Sequence, residues 1–294
     1  MARPSLISGA AIPRRLLAGA LLLPPLALFL AFFVGPLVYL FWVSLHSASQ
    51  TALYGHQLTL EHYAQAFTDP FYLLIIRRTL LAAGAILGLC LVLGYATAYL
   101  IAPLPPRRRL WFLLLLLFPL MVSNVVRAYG WITILGRQGV INTLFRGLGI
   151  SDAPLPLLYS FGAVAFGLMT ILLPYMIISI TNNLAAMERQ YHEAAQSLGA
   201  NPFRAFIHVI LPLSSPGIAS GMLLVFLLTM SAYVTATLLG GPRAKILVSL
   251  VYDSVTVFEW PRAAALAFVL LLLALAIAGL ILLVLRPGRV QGRG

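Results

Sequence analysis

With 294 residues, 61% of them hydrophobic and only 9% charged, and a mean hydropathy of +0.99, the chain has the composition of an integral membrane protein and not of a soluble one. Its formal charge of +12 is not a nucleic-acid footprint, because the basic residues sit beside apolar runs instead of forming a stripe interleaved with aromatics. They read as topology signals and contacts with membrane lipid, with no nucleic acid among the expected partners.

Arg3, Arg14 and Arg15 precede an apolar stretch over 16–45 that is too long for a signal peptide and lacks an early small-residue cleavage site. It is expected to be an uncleaved first span with its N-terminus in the cytoplasm, kinked or tilted at Pro24-Pro25 and Gly35-Pro36. Residues 46–70 are polar, carry Glu61 and Asp69 and hold no Lys or Arg, as suits an outer loop. The second span is expected over 73–101, with Arg77 and Arg78 snorkelling to the interface, and the basic turn Pro103-Leu104-Pro105-Pro106-Arg107-Arg108-Arg109 follows on the cytoplasmic side. The one cysteine, Cys90, lies in this second apolar run, which leaves no internal disulfide or cysteine-based metal site. A small buried hydrophobe is its expected role.

The third span starts at Leu110 and changes character from Pro119 to Thr133, where Ser123, Asn124, Arg127, Tyr129 and Trp131 enter. A helix broken at Pro119 exposes backbone polar groups that only protein or a water-filled cavity can cover, so this stretch is expected to line a path. Arg127 either snorkels from a helix end or joins Asn124, Tyr129 and Trp131 in a gate. Over 139–149, Val140, Ile141, Leu144, Phe145 and Leu148 recur at helical spacing, interrupted by Asn142 and Arg146, and predict a short helix on the outer interface.

The fourth span is expected over 157–180, with Thr170, Pro174 and Tyr175 inside it, and the fifth over 215–239, rich in hydroxyls at Thr229, Ser231, Tyr233, Thr235 and Thr237. Residues 246–257 are apolar but too short to span, contain Asp253, and read as a re-entrant or interfacial piece at the outer mouth, near Glu259. The sixth span runs over 263–285 before a basic tail with Arg286, Arg289 and Arg293. The division is therefore 1–72 for the N-terminal segment, first span and outer loop, 73–285 for the transmembrane core, and 286–294 for a cytoplasmic tail.

Between the fourth and fifth spans lies a punctuated stretch that reads as two short helices and a bend. The first, over about 187–198, aligns Tyr191, Ala194, Ala195 and Leu198 on one face and is capped by Gly199. Asn201 then caps a second helix that starts with Pro202, carries Phe203, Phe206, Ile207 and Ile210 as an apolar stripe, and is expected to stop at Pro212. An amphipathic helix of this kind lies on the bilayer interface or docks into a partner's groove.

Glu193, Ala194, Ala195, Gly199, Leu211 and Pro212, with Val209 in place of Ile, resemble the loop that defines the membrane subunits of binding-protein-dependent ABC importers. The resemblance implies an all-α membrane protein of the type I ABC importer fold, with six transmembrane helices and a cytoplasmic coupling helix. It implies that Glu193, Ala194, Ala195 and Gly199 shape the bend, and that Ala200, Asn201, Pro202, Phe203, Phe206 and Ile207 offer the surface that meets an ATPase. The implied partners are an ABC ATPase dimer, a second permease subunit that is homologous and forms a heterodimer, and an extracytoplasmic substrate-binding protein. Both termini are then cytoplasmic, in a bacterial inner membrane.

Within that family, Val126-Arg127-Ala128-Tyr129-Gly130-Trp131, followed by Leu135, Gly139 and Asn142, is similar to the first permease of spermidine/putrescine importers, as is the segment Leu60-Glu61-His62-Tyr63. A polyamine or related amine is the implied cargo, and amino-acid-like compounds, phosphonates and iron are the alternatives within the class. The substrate path or gate is expected at Asn124, Arg127, Tyr129, Trp131, Tyr233, Thr235 and Asp253.

The residues hold no phosphate-binding loop: the only lysine, Lys245, follows a Pro-containing turn, so no ATP site and no cofactor is expected in this chain. No His-Glu-x-x-His helix, Gly-x-Ser-x-Gly elbow or intramembrane carboxylate pair occurs, which weighs against a protease, an esterase and a proton-coupled carrier. An autonomous secondary carrier remains the alternative, and it would show internal repeats with ionisable groups at broken helices. On the leading reading the chain is a transport subunit and not an enzyme.

Overall fold

The computed structural model describes residues 14–49, 52–187 and 201–285, and these are helical almost throughout. Four helices are long and apolar enough to cross a membrane: Leu21–Ser44, Pro70–Ile101, Phe161–Ala186 and Trp260–Leu285. Two bent pairs, Pro106–Met121 with Asn124–Gly147 at 87° and Phe203–Leu213 with Ser215–Met230 at 63°, bring the number to six when each pair is taken as one crossing. In chain order these six are referred to below as spans one to six.

Span one stays helical through Pro24 and Pro25, and a π turn over Leu30–Val34, closed by Gly35 N–H on the Leu30 carbonyl, leads into Gly35–Ser44 with Pro36 in its first turn. It is exposed along most of its length and meets span six only near its end, where the rings of Phe41 and Phe268 make an edge contact at 5.3 Å and Val43 and Ser44 are buried. The loop after it is tied back by the antiparallel bridge between His46 and Leu58 and by a 2.7 Å hydrogen bond joining Ser44 Oγ and Tyr63 Oη. Its short helix, Glu61–Thr68, leads directly into span two, whose first turn is capped by Asp69 and opened by Pro70.

Spans two, four and five form the main core. Ile86, Cys90 and Tyr95 pack with Leu168, Met176, Ile177 and Ile180, and with Ile218 and Val225. Close approach depends on small residues, since in lipid there is no hydrophobic drive between helices. A Cβ on Gly94 would lie 2.6 Å from Met176 Cγ, and one on Gly217 would lie 2.5 Å from Asn183 Cβ and 3.1 Å from the Ser179 carbonyl oxygen. A second apolar cluster closes one end of the bundle, where Ala66, Ile75 and Ile76 meet Leu247, Leu250, Leu266 and Val269. There the apolar piece expected at the outer mouth is a helix, Leu247–Thr256, and its first N–H is fixed by Thr79 Oγ1 at 2.8 Å.

Three expectations change. The fifth span does not run to residue 239: it ends at Met230, and Tyr233–Gly240 is a separate helix that packs on Asn124–Leu135 and on span four. No Pro or Gly marks this break. Ala232 sits at φ −79° and ψ 63° with Tyr233 N–H donating to the Ser231 carbonyl at 2.8 Å, an inverse γ-turn that any residue can adopt. Pro212 does not stop its helix either. A π turn over Phe206–Ile210, in which Leu211 N–H reaches back to the Phe206 carbonyl, carries the helix past the missing proline donor, and the chain bends only at Ser214. Finally, Asn142 is no interruption on an interfacial helix: it is buried, and its side chain donates to the Gly136 and Leu155 carbonyls at 2.9 and 3.1 Å and accepts from Leu155 N–H at 2.8 Å.

Candidate functional site

The two helix breaks face each other. The third segment turns through a 3₁₀ turn over Phe118–Met121 before Asn124–Leu135, as the proline predicts, and the fifth turns at Ser231 and Ala232. Between them and span four lies a cavity of about 410 Å³. Asn124, Arg127, Tyr175, Ser231, Tyr233 and Thr235 give it its polar wall, with Leu120, Leu168, Ile171 and Leu228 among its apolar lining. Irregular backbone at such a depth needs protein or water to satisfy it, and the cavity supplies the place.

Arg127 links the cavity to the first break. One terminal nitrogen, Nη2, donates to the Pro119 carbonyl and, at 2.9 Å, to the Val122 carbonyl, which caps the end of the broken segment. The other, Nη1, is buried with no hydrogen-bond partner among the described residues. The arginine therefore folds back onto its own segment instead of snorkelling.

Of the expected path residues, Asn124, Arg127, Tyr233 and Thr235 come together on this cavity, and Tyr129, Trp131 and Asp253 do not line it. Tyr129 is 58% exposed on the far side of its helix, and Trp131 packs edge-on against Phe166 at 4.8 Å. Asp253 is paired with Lys245, Nζ to Oδ2 at 2.5 Å, and its carboxylate is partly exposed. It stays near the cavity through Tyr233, whose ring stacks on Tyr252 at 4.1 Å, while Thr237 and Ser249 join the two helices at 3.3 Å. Tyr175 and Ser231 are cavity residues absent from the expected set; the hydroxyl-rich composition of 229–237 and the Pro174-Tyr175 pair inside an apolar span were the signals that pointed to them.

The second candidate site is the segment entering span five. Asn201 Oδ1 accepts from Phe203 N–H at 3.2 Å, the expected cap of the Pro202–Ala205 helix. Phe203, 69% exposed, and Ile207, 38% exposed, point outward. Phe206 turns the other way, with its ring edge-on to Tyr95 and Tyr99 of span two at centroid distances of 5.6 and 5.5 Å. The apolar stripe is thus split, with Phe206 and the buried Ile210 facing the bundle and Phe203 and Ile207 facing out. Glu193, Ala194, Ala195, Gly199 and Ala200 lie outside the described residues.

Comparison with known proteins decides the assignment. Residues 91–289 match the family model described as "Binding-protein-dependent transport system inner membrane component". The chain belongs to this family. It is 33% identical over 224 residues to the spermidine/putrescine transport system permease protein PotB of Haemophilus influenzae, an alignment covering 76% of this chain and 78% of that protein. It is also 34% identical over 132 residues to the permease PotC of the Escherichia coli K12 spermidine/putrescine system, covering 45% and 47% of the two chains. In fold it matches a chain of the bacterial alginate ABC transporter solved with an alginate pentasaccharide-bound periplasmic protein, at a TM-score of 0.77, 19% identity and coverage of 96% and 97%. The chain is thus a multi-pass inner-membrane transport subunit of the importer permease fold, and not an enzyme.

Proposed function

We propose that this chain is one permease of an ATP-driven importer for a small polyamine or related amine, working beside a second, homologous permease, an ATPase dimer and an extracytoplasmic binding protein. The observation that carries the substrate class is the match to a spermidine/putrescine permease over three-quarters of both chains. Similarity to a second permease of that kind of system supports a heterodimer. On this reading both termini lie in the cytoplasm, so that the loop between spans four and five faces the ATPase and the loop that carries the Glu61–Thr68 helix faces outward. ATP is hydrolysed by the partner subunit, and this chain carries no cofactor.

On this reading Phe203 and Ile207, with Asn201 and the preceding residues 193–200, meet the ATPase, and closure of the ATPases moves span five through the helical segment that leads into it. The cavity between the two breaks is the solute's passage. Stacked Tyr233 and Tyr252 offer aromatic surface to an ammonium group near its mouth, where Asp253 neutralises Lys245. Arg127 favours the opposite charge, and its unpartnered Nη1 is the observation that supports a second cargo class, a carboxylate- or phosphonate-bearing solute.

The test is ATP-dependent uptake by proteoliposomes holding the chain with its co-encoded permease and ATPase, loaded through the binding protein. Saturable spermidine uptake, displaced by excess putrescine and indifferent to phosphonates, is the expected result. Uptake of an anionic solute with no response to polyamines would overturn the amine reading and leave the importer class intact. For the loop itself, Gly199→Pro is expected to release the ATPase while the permeases stay inserted and paired; an equally tight complex would refute its role.

A further inference from the structure

We infer that Phe206 is a positioning residue that passes the movement of the cytoplasmic segment to span two, so that one partner stroke drives two spans and not only the one joined to it by the chain. The inference rests on the importer reading above and gives Phe206 a different task from the outward-facing Phe203 and Ile207.

The geometry is that of a short lever. The segment Phe203–Leu213 meets Ser215–Met230 at a 63° bend, and Ser214 lies at the corner. The corner is pinned to span two: Tyr95 Oη and the buried Ser214 Oγ are 3.1 Å apart. Ser214 is also held within its own turn, its N–H donating to the Ile210 carbonyl at 2.8 Å and its Oγ to the Leu211 carbonyl at 2.9 Å. Eight residues back along the arm, roughly 12 Å at the rise of a helix, the Phe206 ring stands between Tyr95 and Tyr99. These two tyrosines are four residues apart and share one face of span two. Interplanar angles of 83° and 85° present both contacts as ring edge to ring face, so a tilt of the arm in either direction presses on one tyrosine.

Two further features separate this contact from ordinary packing. The ring is only partly buried and stands beside an open apolar groove of about 380 Å³, lined by Leu91, Val92, Ala96 and Ile218 as well as the three aromatics, where a core side chain would be enclosed on all sides. The π turn starts at Phe206 itself. Such turns occur frequently at functional sites, and this one separates the ring from the corner at Ser214.

The experiment uses the whole importer in proteoliposomes and reads three quantities: ATPase co-purified, ATP hydrolysed, and solute taken up per ATP. For Phe206→Ala the expected outcome is unchanged ATPase association and hydrolysis with uptake per ATP down about tenfold. Phe206→Tyr, which keeps the ring, and Tyr99→Phe are expected to restore the ratio, Tyr99→Ala to reproduce the loss, and the double alanine variant to be no worse than either single one. An unchanged uptake per ATP in Phe206→Ala overturns the proposal. So does loss of the ATPase from that variant alone, which would return Phe206 to the docking surface or to plain structural support. Failure of the unmodified chain to hold the ATPase would refute the importer reading itself, so the two failures are told apart by the parent protein.

Discussion

Replacing Arg127 probes the cavity and its broken wall at once. The guanidinium bridges the Pro119 and Val122 carbonyls, which a helix would otherwise have paired, and it does so with one nitrogen in a partly buried position. A hydrogen bond to a charged group contributes about 1.5–3 kcal/mol when buried, and partial exposure puts this shared pair near the lower end, about 2 kcal/mol in all. That is roughly a 30-fold shift in the ratio of ordered to opened break. Arg127→Ala should therefore insert normally, lose uptake, and speed amide hydrogen exchange over residues 118–127. Arg127→Lys keeps the charge but has a point-like ammonium in place of a planar fork, so it should recover only part of both. The two readouts matter because charge in the cavity and bracing of the break are different tasks: a lysine that restores uptake without restoring exchange protection would assign the residue's importance to charge. Uptake and exchange both within about twofold of the parent, at equal membrane levels, would refute the bracing argument.

Asn142→Ala releases three hydrogen bonds and takes the acceptor from Leu155 N–H, while the Gly136 and Leu155 carbonyls keep the N–H groups of Gly139 and Leu157; the expected loss is about 1–2 kcal/mol, seen as a lower unfolding temperature in detergent, with Asn142→Asp intermediate because it keeps the acceptor for Leu155 N–H. His62, in the outer-loop helix, has both ring nitrogens buried without hydrogen-bond partners among the described residues, and burial outweighs the attraction of Glu61 to push its pKa below the ordinary 6.5. The unfolded chain then binds the proton first, so stability present at neutral pH is lost as pH falls from 6.5 through the folded value; His62→Phe should flatten that slope, and an unchanged pH profile of unfolding would count against the assignment. Gly217→Val drives a Cβ into Asn183 and the Ser179 carbonyl and should cost about 1–3 kcal/mol, with spans four and five crosslinking less efficiently near residues 183 and 217 than in the parent protein.

The elements most legible in the sequence are those whose cause is local. Apolar runs of membrane length, the Asn201-Pro202 start and the break at Pro119 all depend on the residues at the spot and are found where those residues stand, while the second span begins at Pro70, three residues before the expected 73. The features that escaped have causes far away in the chain. Ser231 and Ala232 carry no breaker; their γ-turn is favourable because the following helix finds a seat on Asn124–Leu135 and span four. Pro212 is a breaker whose cost is absorbed one turn earlier by the π turn, and an apparently continuous apolar stripe divides into an outward pair and an inward pair because span two lies on one side of it. Asn142, polar amid apolar neighbours, reads as an interruption until the chain returns at Leu155 to meet it. Likewise, the set Asn124, Arg127, Tyr233 and Thr235 is a spatial one: Tyr129 falls away because helix geometry turns it from the cavity, and Trp131, on the face of Asn124 and Arg127, because it stands a turn further along and packs on Phe166.

The charges around the cavity bear on how a cation would pass. Arg127 lines it, no acidic residue does among the described ones, and the nearest carboxylate, Asp253, is already paired with Lys245. A dication entering from this chain's side therefore meets aromatic faces and hydroxyls but no strong counter-charge, and its residence there is weak. Weak binding along the route suits throughput, because a site must be favourable enough to enter and poor enough to leave. It also removes the passage as the place where amines are chosen, since discrimination needs a difference in affinity that such a wall does not supply. Selectivity on the amine reading then belongs to the binding protein, which raises the local concentration at the mouth, and to whatever carboxylates the second permease adds across the interface. Asp253→Asn should accordingly lower the rate of uptake without changing which amines compete.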